Sequence, residues 1–465
     1  MKRKFRIEKD ALGELEVPVE AYYGIQTARA VHNFPISGLK SHRVLIRSIA
    51  MVKWAAAEAN MACDQLNAKV GKAIQKAAEE IVDGRWDDQF VVDVFQAGAG
   101  TSFNMNANEV IANRAVELFG GKPGEYHKIH PNDDVNRSQS TNDVFPTSMR
   151  IAALLMLQEF EPVLIQLEEA LTAKARAFNG FIKSGRTHLQ DAVPIRLGQE
   201  FSGYARAVTR ARERIKRAGK GMQELGLGGS AVGTGINTHP QYQKRVVSAL
   251  KKFSGLRLLP SPDLFERMQS MADFVALSGS LRELAVELIR IANDLRLLSS
   301  GPRTGLAEIN LPAVQAGSSI MPGKVNPVMA EVTNMVCFQV IGNDMTITLA
   351  AQAGQLELNV MMPVISFNLL QSLEILTNDI RLFSERCIKG ITANVIKCRE
   401  YADQSLGLAT VLNPYIGYES ATRVAKESVK TGKSLRDIVI EKGILPVSEV
   451  DKVLDPFKMT RPNRS

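Results

Sequence analysis

The stretch GSSIMPGKVNP, residues 317–327, sets two hydroxyls, a cation and a carboxamide among glycines and prolines. Ser318, Ser319, Lys324 and Asn326 could together supply hydroxyl, cationic and amide contacts to one small anion. Three readings compete: a phosphate cradle, a plain connector, and a mobile loop carrying a catalytic base. A phosphate loop needs four residues between its glycines, then Lys followed by Ser or Thr. Here five residues separate Gly317 from Gly323, Val325 follows Lys324, and no βαβ pattern surrounds the stretch. A connector accounts for the glycines and prolines but does not call for clustered polar groups.

Other loops offer the same chemistry. GAGTSFNMN (98–106) carries Thr101 and Ser102 on a Gly-rich turn. SQSTND (138–143) presents Ser140, Thr141 and Asn142 in succession. Those residues also cap helices, and capping is compatible with anion binding because a helix N-terminus suits both. GRTHLQD (185–191) adds Thr187 and His188, the latter one of six histidines. A lone histidine is more often structural, but Thr187 and the Gly-Arg turn favour a site here. No His, Asp or Glu set has metal-ligand spacing, so neither a catalytic metal nor a cofactor is expected.

Long helices must position these loops. Phe274, Leu277, Leu281, Leu284, Leu288, Ile291, Leu295 and Leu298 alternate spacings of three and four. That seam predicts a helix of at least about 25 residues, roughly 37 Å long, and such a helix needs partners of similar length. Residues 147–178 read as helix, with Pro162 starting a new one or kinking it. Phe201, Tyr204, Val208, Ala211 and Ile215 mark a further face after Gly198. Another helix covers 331–383, kinked or interrupted at Pro363, with Ile365, Leu369, Leu373, Leu376, Ile380 and Phe383 continuing the stripe. The result is a mainly α fold with an elongated bundle of about five long helices. Connectors are expected at 184–194, 226–237 and 253–263. The expected division is an N-terminal, mainly helical domain (1–140), a central long-helix bundle (141–395) and a small helical C-terminal domain (396–465).

Composition narrows the function classes. The 465 residues are 45% hydrophobic and 23% charged, with a net charge of +8. A basic balance fits nucleic acid, anionic membranes or small acidic substrates. The densest basic run, Arg210 to Lys220, reads as a solvated helix face, with a nucleic-acid surface as the rival. Cys63, Cys337, Cys387 and Cys398 form no CxxC pair, which suits buried thiols in a reducing compartment. The opening MKRKFRIEKD lacks an apolar core, and no uncharged apolar run approaches about 20 residues. A cytoplasmic protein with no membrane partner is expected.

The order of the motifs resembles the aspartase/fumarase superfamily, whose signature loop is GSSxMPxKxNP. The likeness runs through VPVEAYYGIQTARAVHNFPISG, GAGTSFNMNANEVIANRA, HPNDDVNRSQSTNDVFPT, GRTHLQDAVPIRLGQEF and GSSIMPGKVNP to NPYIGYE, essentially the whole chain. It implies a three-domain helical subunit whose bundle joins three others in a homotetramer, with active sites built from the loops of three subunits. AGTSFNMN (99–106), INLPAVQAGSS (309–319) and AAQAGQLELNVMMPVI (350–365) resemble the aspartase branch; Gly323, His188 and SFNLLQS (366–372) are shared or lean toward class II fumarases.

The implied reaction is the reversible deamination of the dicarboxylate L-aspartate to fumarate and ammonia through an enediolate. The resemblance assigns the base to Ser318. It assigns the β-carboxylate to Thr101, Ser140, Thr141 and Ser319, and the α-carboxylate to Lys324 and Asn326. The amino group falls to Asn142, Thr187 and His188, with His188 orienting its departure. The alternatives are a class II fumarate hydratase and a non-catalytic helical scaffold of the same superfamily.

Overall fold

In the computed structural model, which describes residues 4–462, the heptad-like seam lies on the 27-residue helix Ala272–Leu298. All eight seam residues are buried. Asp273 in the first turn and Arg296 in the last complement the helix dipole. Four further long helices accompany it: Thr141–Ala177, Leu197–Gly219, Val328–Gln352 and Met362–Arg386. The fold is mainly α, as the periodicity predicts.

The chain divides into two compact units. One takes residues up to Glu161, Ala211–Ala285 and Phe338–Thr377; the other takes Pro162–Arg210, Val286–Cys337 and the chain from Asn378 onward. Each unit contains a segment of every one of the five long helices. The first also holds an antiparallel hairpin, Phe5–Asp10 with Gly13–Pro18, and the helices Arg43–Ala62, Ala68–Val82 and Thr101–Leu118. In the second, short helices close over Leu412, Leu435, Ile438, Val439 and Val450 as a separate apolar cluster. The N-terminal charged stretch begins, and the expected C-terminal domain ends, in residues outside those described.

The structure adds detail to the expected elements at three places. Pro162 neither starts nor ends a helix; Thr141–Ala177 runs through it for 37 residues. Pro162 and Gln158 are both exposed, so water can satisfy the Gln158 carbonyl that the proline leaves without a donor. The connector at 184–194 belongs to a second antiparallel hairpin, in which Ile182–Thr187 pairs with Gln190–Arg196. The N-terminal hairpin was also not expected. Pro363 does mark an interruption, and it sits in the first turn of its helix, where a missing N–H costs nothing. The buried Asn359 joins the two helices across the gap. Its Nδ2 donates to the carbonyls of Ala350 and Ala351, and its Oδ1 accepts from the Met361 N–H.

The basic run is a helix face with ion pairs. Ala211 and Ile215 are buried, Arg212 and Lys216 face Glu161 at 3.6 and 3.0 Å, and Arg214 pairs with Glu283. That arrangement spends much of the charge a nucleic acid would need. Val328–Gln352 is unusual in being apolar on more than one side. Cys337, Val340 and Ile347 are buried, while Met335, Phe338, Met345 and Leu349 stand exposed. No helix among the described residues is long and apolar enough to cross a membrane.

All four cysteines are free and buried. Burial pushes the thiols of Cys337, Cys387 and Cys398 up to about 12, so the reactive thiolate is scarce at neutral pH. A disulfide-exchange reagent is expected to titrate none of the four in the native protein and all of them after denaturation. Rapid native labelling would show that a thiol is accessible.

Candidate active site

Two helix N-termini meet in the first unit. The GAGT turn enters Thr101–Leu118 through Gly98 (φ +85°), Ala99 (φ +56°) and Gly100 (φ +93°). Gly100 lies against the Phe145 ring so closely that a Cβ would fall 2.5 Å from it. Thr101 donates its hydroxyl to the Gly98 carbonyl at 2.6 Å. The second N-terminus begins Thr141–Ala177, and Ser140 caps it. Its Oγ accepts from the Asn142 N–H at 3.2 Å, while its own N–H donates to Asp143 Oδ1 at 2.9 Å. This reciprocal pairing has the logic of a capping box. Ser140 thus caps as an acceptor and retains its hydroxyl proton for an outside acceptor.

Thr141 is arranged in the same way. Its Oγ1 accepts from Asn104 Nδ2 at 3.1 Å, which links the two helix starts and leaves the threonine proton to be donated. Both N-terminal dipoles, with the free hydroxyl protons of Ser140 and Thr141, therefore favour an anion at one end of the pair, while the Thr101 proton is held by the Gly98 carbonyl.

Beneath these hydroxyls is a polar network that the motif reading missed. Asn136 Oδ1 accepts from Lys53 Nζ at 2.8 Å and from Asn104 and Asn108 Nδ2 at 3.2 Å each. Lys53 is fully buried. Desolvation pushes its pKa down to about 7, against the pull of the Asp143 charge. Desolvation also pushes Asp143 up to about 6, against N–H groups donated by Ser140, Gly228 and Ser230. A signal was present: Asn104, Asn106 and Asn108 recur inside a helix where asparagine is unfavourable, and Lys53 stands alone in IAMVKWAAA.

The second unit carries the remaining candidates on two separate elements. Thr187 and His188 stand at the exposed tip of the hairpin. His188 (φ +57°) and Leu189 (φ +59°) form its two-residue turn, a left-handed conformation that costs both side chains energy. Buried charge holds the hairpin's first strand at both Lys183 and Arg186. Arg186 donates to both Glu308 oxygens at 3.0 Å, and Lys183 donates to Glu200 at 2.9 Å and lies 3.3 Å from Glu308. Glu308 is fully buried, so removing it would take from Arg186 its carboxylate partner and leave Lys183 with Glu200 alone.

The 317–327 loop closes on itself. The Ser318 N–H donates to the Lys324 carbonyl at 3.0 Å, and at Gly317 a Cβ would overlap that same carbonyl at 1.2 Å. Only glycine fits there. Gly323 supplies a left-handed turn at φ +79°. Within the closed loop, Ser318 Oγ accepts from the N–H groups of Ile320 and Met321, at 3.2 and 3.0 Å. Ser319 and Lys324 are exposed, and the Lys324 ammonium has no carboxylate partner among the described residues. Asn326 stands two residues before the start of the Val328–Gln352 helix, whose first N–H donates to the Asn326 carbonyl at 2.9 Å.

Thus Thr101, Ser140, Thr141 and Asn142 form one cluster. Ser318, Ser319, Lys324 and Asn326 form another, and Thr187 with His188 a third. Among the described residues, no group of three or more His, Cys, Asp or Glu side chains could hold a metal ion.

Comparison with known proteins adds to this geometry. Residues 13–342 match the lyase family and residues 408–461 the fumarase C C-terminal family. The chain is 52% identical to an aspartate ammonia-lyase of Bacillus subtilis, over 99% of this chain and 97% of that one. It is 49% identical to an aspartate ammonia-lyase of Helicobacter pylori, over 98% of each. Among solved structures, a fumarate lyase:delta crystallin from Brucella melitensis bound to cobalt superposes with a TM-score of 0.96 at 50% identity, over 99% of this chain and all of that one. A class II fumarase from Schistosoma mansoni gives 0.97 at 38% identity, with the same coverage.

Proposed function

The chain belongs to the lyase family, and from that premise we propose that it catalyses the reversible deamination of L-aspartate to fumarate and ammonia. Identity near one half with curated aspartate ammonia-lyases, along nearly the whole chain, supports the substrate. The observation that carries the chemistry is the Ser318 hydroxyl oxygen, which receives two backbone N–H groups inside a closed loop. A serine hydroxyl is a poor base and its alkoxide is scarce at neutral pH. Two aligned N–H donors are what an alkoxide requires, so the loop lowers the cost of forming it.

Ser318 Oγ takes the proton from C3 of the substrate. The electron pair left behind spreads into the β-carboxylate as an enediolate with two negative charges. Hydroxyls from Ser140, Thr141 and Ser319 donate to it, Thr101 joins them once its proton leaves the Gly98 carbonyl, and the four bind the doubly charged form more tightly than the ground state. Lys324 and Asn326 hold the α-carboxylate. Asn142, Thr187 and His188 hold the ammonium group and aim the C2–N bond. That bond then breaks with its electron pair on nitrogen, the C2–C3 double bond forms, and ammonia leaves.

The residue clusters come together in a homotetramer, with each site shared between subunits. The exposed Met335, Phe338, Met345 and Leu349 support this, because a second apolar face on a helix that already buries one requires cover that its own chain does not supply. The bundle then occupies residues 141–395, between an N-terminal domain and a small C-terminal one. Buried free thiols fit a cytoplasmic setting.

Absorbance of fumarate formed from L-aspartate, compared with L-malate, tests the reading. Fumarate is expected from aspartate with release of ammonia. Formation from malate alone would replace the ammonia-lyase with a hydratase.

A further inference from the structure

The Gly-rich stretch GLGGSAVGTGIN, 226–237, has no role in the reaction as described. It folds back on itself: the N–H groups of Gly233 and Gly235 donate to the Gly229 carbonyl at 3.0 and 3.1 Å, and that of Gly229 to the Gly226 carbonyl at 3.0 Å. Gly228 (φ +101°), Gly233 (φ +103°) and Gly235 (φ +68°) all occupy backbone that favours glycine. The fully buried Asp143 anchors the knot through Oδ2, which accepts the N–H groups of Gly228 and Ser230 at 3.0 Å each. Its other oxygen accepts from Ser140. One carboxylate therefore fixes the Gly-rich loop to the N-terminus of the Thr141–Ala177 helix.

The next carbonyl of the loop meets the site. Asn142 Nδ2 donates to the Ala231 carbonyl at 2.8 Å. A carbonyl oxygen can only accept, so the face of the carboxamide turned to Ala231 must be its NH2. The side-chain oxygen is thereby turned away, and no hydrogen bond within the described residues takes it up. An unspent carboxamide oxygen is an acceptor, suited to a cation and not to a carboxylate.

We propose that the 226–237 loop is a positioning element: through the Ala231 carbonyl it locks the Asn142 carboxamide so that only an acceptor faces the substrate, selecting a charged ammonium group. The selectivity arises from the loop backbone and from Asp143, neither of which needs to touch the substrate. A freely turning carboxamide would present NH2 as readily as oxygen, and half its orientations would repel an ammonium. This inference rests on the reading of the site as one for L-aspartate.

Ala231→Gly frees the backbone that aims the carbonyl without adding an atom. Gly235→Ala places a Cβ 3.2 Å from the Gly228 carbonyl and disturbs the same knot from another side. The readout compares ligands with and without the amino group. In both variants KM for L-aspartate, and KM for ammonium in the amination direction, are expected to rise roughly three- to tenfold, the effect of weakening one hydrogen bond to a charged group. The inhibition constant of succinate, a dicarboxylate with no amino group, is expected to stay unchanged. Two results overturn the proposal: loss of succinate in step with aspartate, which general damage to the site would give, or no loss for either ligand. An unaltered enzyme that makes no fumarate from L-aspartate removes the functional reading itself and this inference with it; an active enzyme without the amino-selective change removes the inference alone.

Discussion

Ser318→Ala is expected to lower kcat by about 10³-fold, within the range that a positioned base contributes, with subunit assembly unchanged. The substitution deletes the one oxygen that accepts the Ile320 and Met321 N–H groups. Those donors lie in an exposed loop segment (Ile320 is 83% exposed), so water can take the place of the hydroxyl and the cost to stability is small. The Ser318 backbone bond to Lys324 also survives. The two consequences separate: chemistry is lost while the loop and the assembly persist. KM for L-aspartate should change little, because the base is not assigned to hold either carboxylate. Steady-state kinetics with a size measurement on the same sample decides the matter. Near-normal turnover would require another group to remove the C3 proton.

Lys324→Met should show the opposite pattern. Methionine keeps much of the length and loses the charge. Lys324 has no carboxylate partner of its own among the described residues, so its removal strands no buried charge and destabilises the fold little. The loss falls on the substrate, whose α-carboxylate gives up a charge-assisted hydrogen bond worth about 1.5–3 kcal/mol. KM for L-aspartate should rise roughly ten- to a hundredfold. The fall in kcat should be smaller, because the α-carboxylate carries the same charge before and during proton removal. An unchanged KM would take Lys324 out of that role. A large fall in kcat with KM constant would move it to the developing charge instead.

The long helices were legible because their signal is local. The 274–298 seam reports one face of one helix, and every residue in it is buried. The 182–196 hairpin escaped the same reading. Its register shifts between Ser184 and Arg186, breaking the alternation that would betray a strand. Its turn uses His188 and Leu189 where Asn-Gly would have announced a hairpin. Pro162 leaves two readings open, a new helix or a kinked one, and the helix continues through it because water can take up the exposed Gln158 carbonyl. At the site, hydroxyl-rich loops pointed to Ser140, Thr141 and Ser318 as candidates, while their separate duties came from family likeness. Lys53, Asn136 and Asp143 were invisible as a group. Lys53 and Asn136 meet across 83 positions of sequence, and Asp143 meets Gly228 across 85. Contacts of that range leave no period to detect.

The two-sided apolarity of Val328–Gln352 has a consequence for how the enzyme comes into being. In the tetramer proposed above, a newly made chain carries Met335, Phe338, Met345 and Leu349 in contact with water until its partners cover them. In that interval it is sticky toward anything similarly exposed, and chaperones compete with assembly for it. That proposed assembly would make folded stability depend in part on neighbours, and so on the concentration of the enzyme.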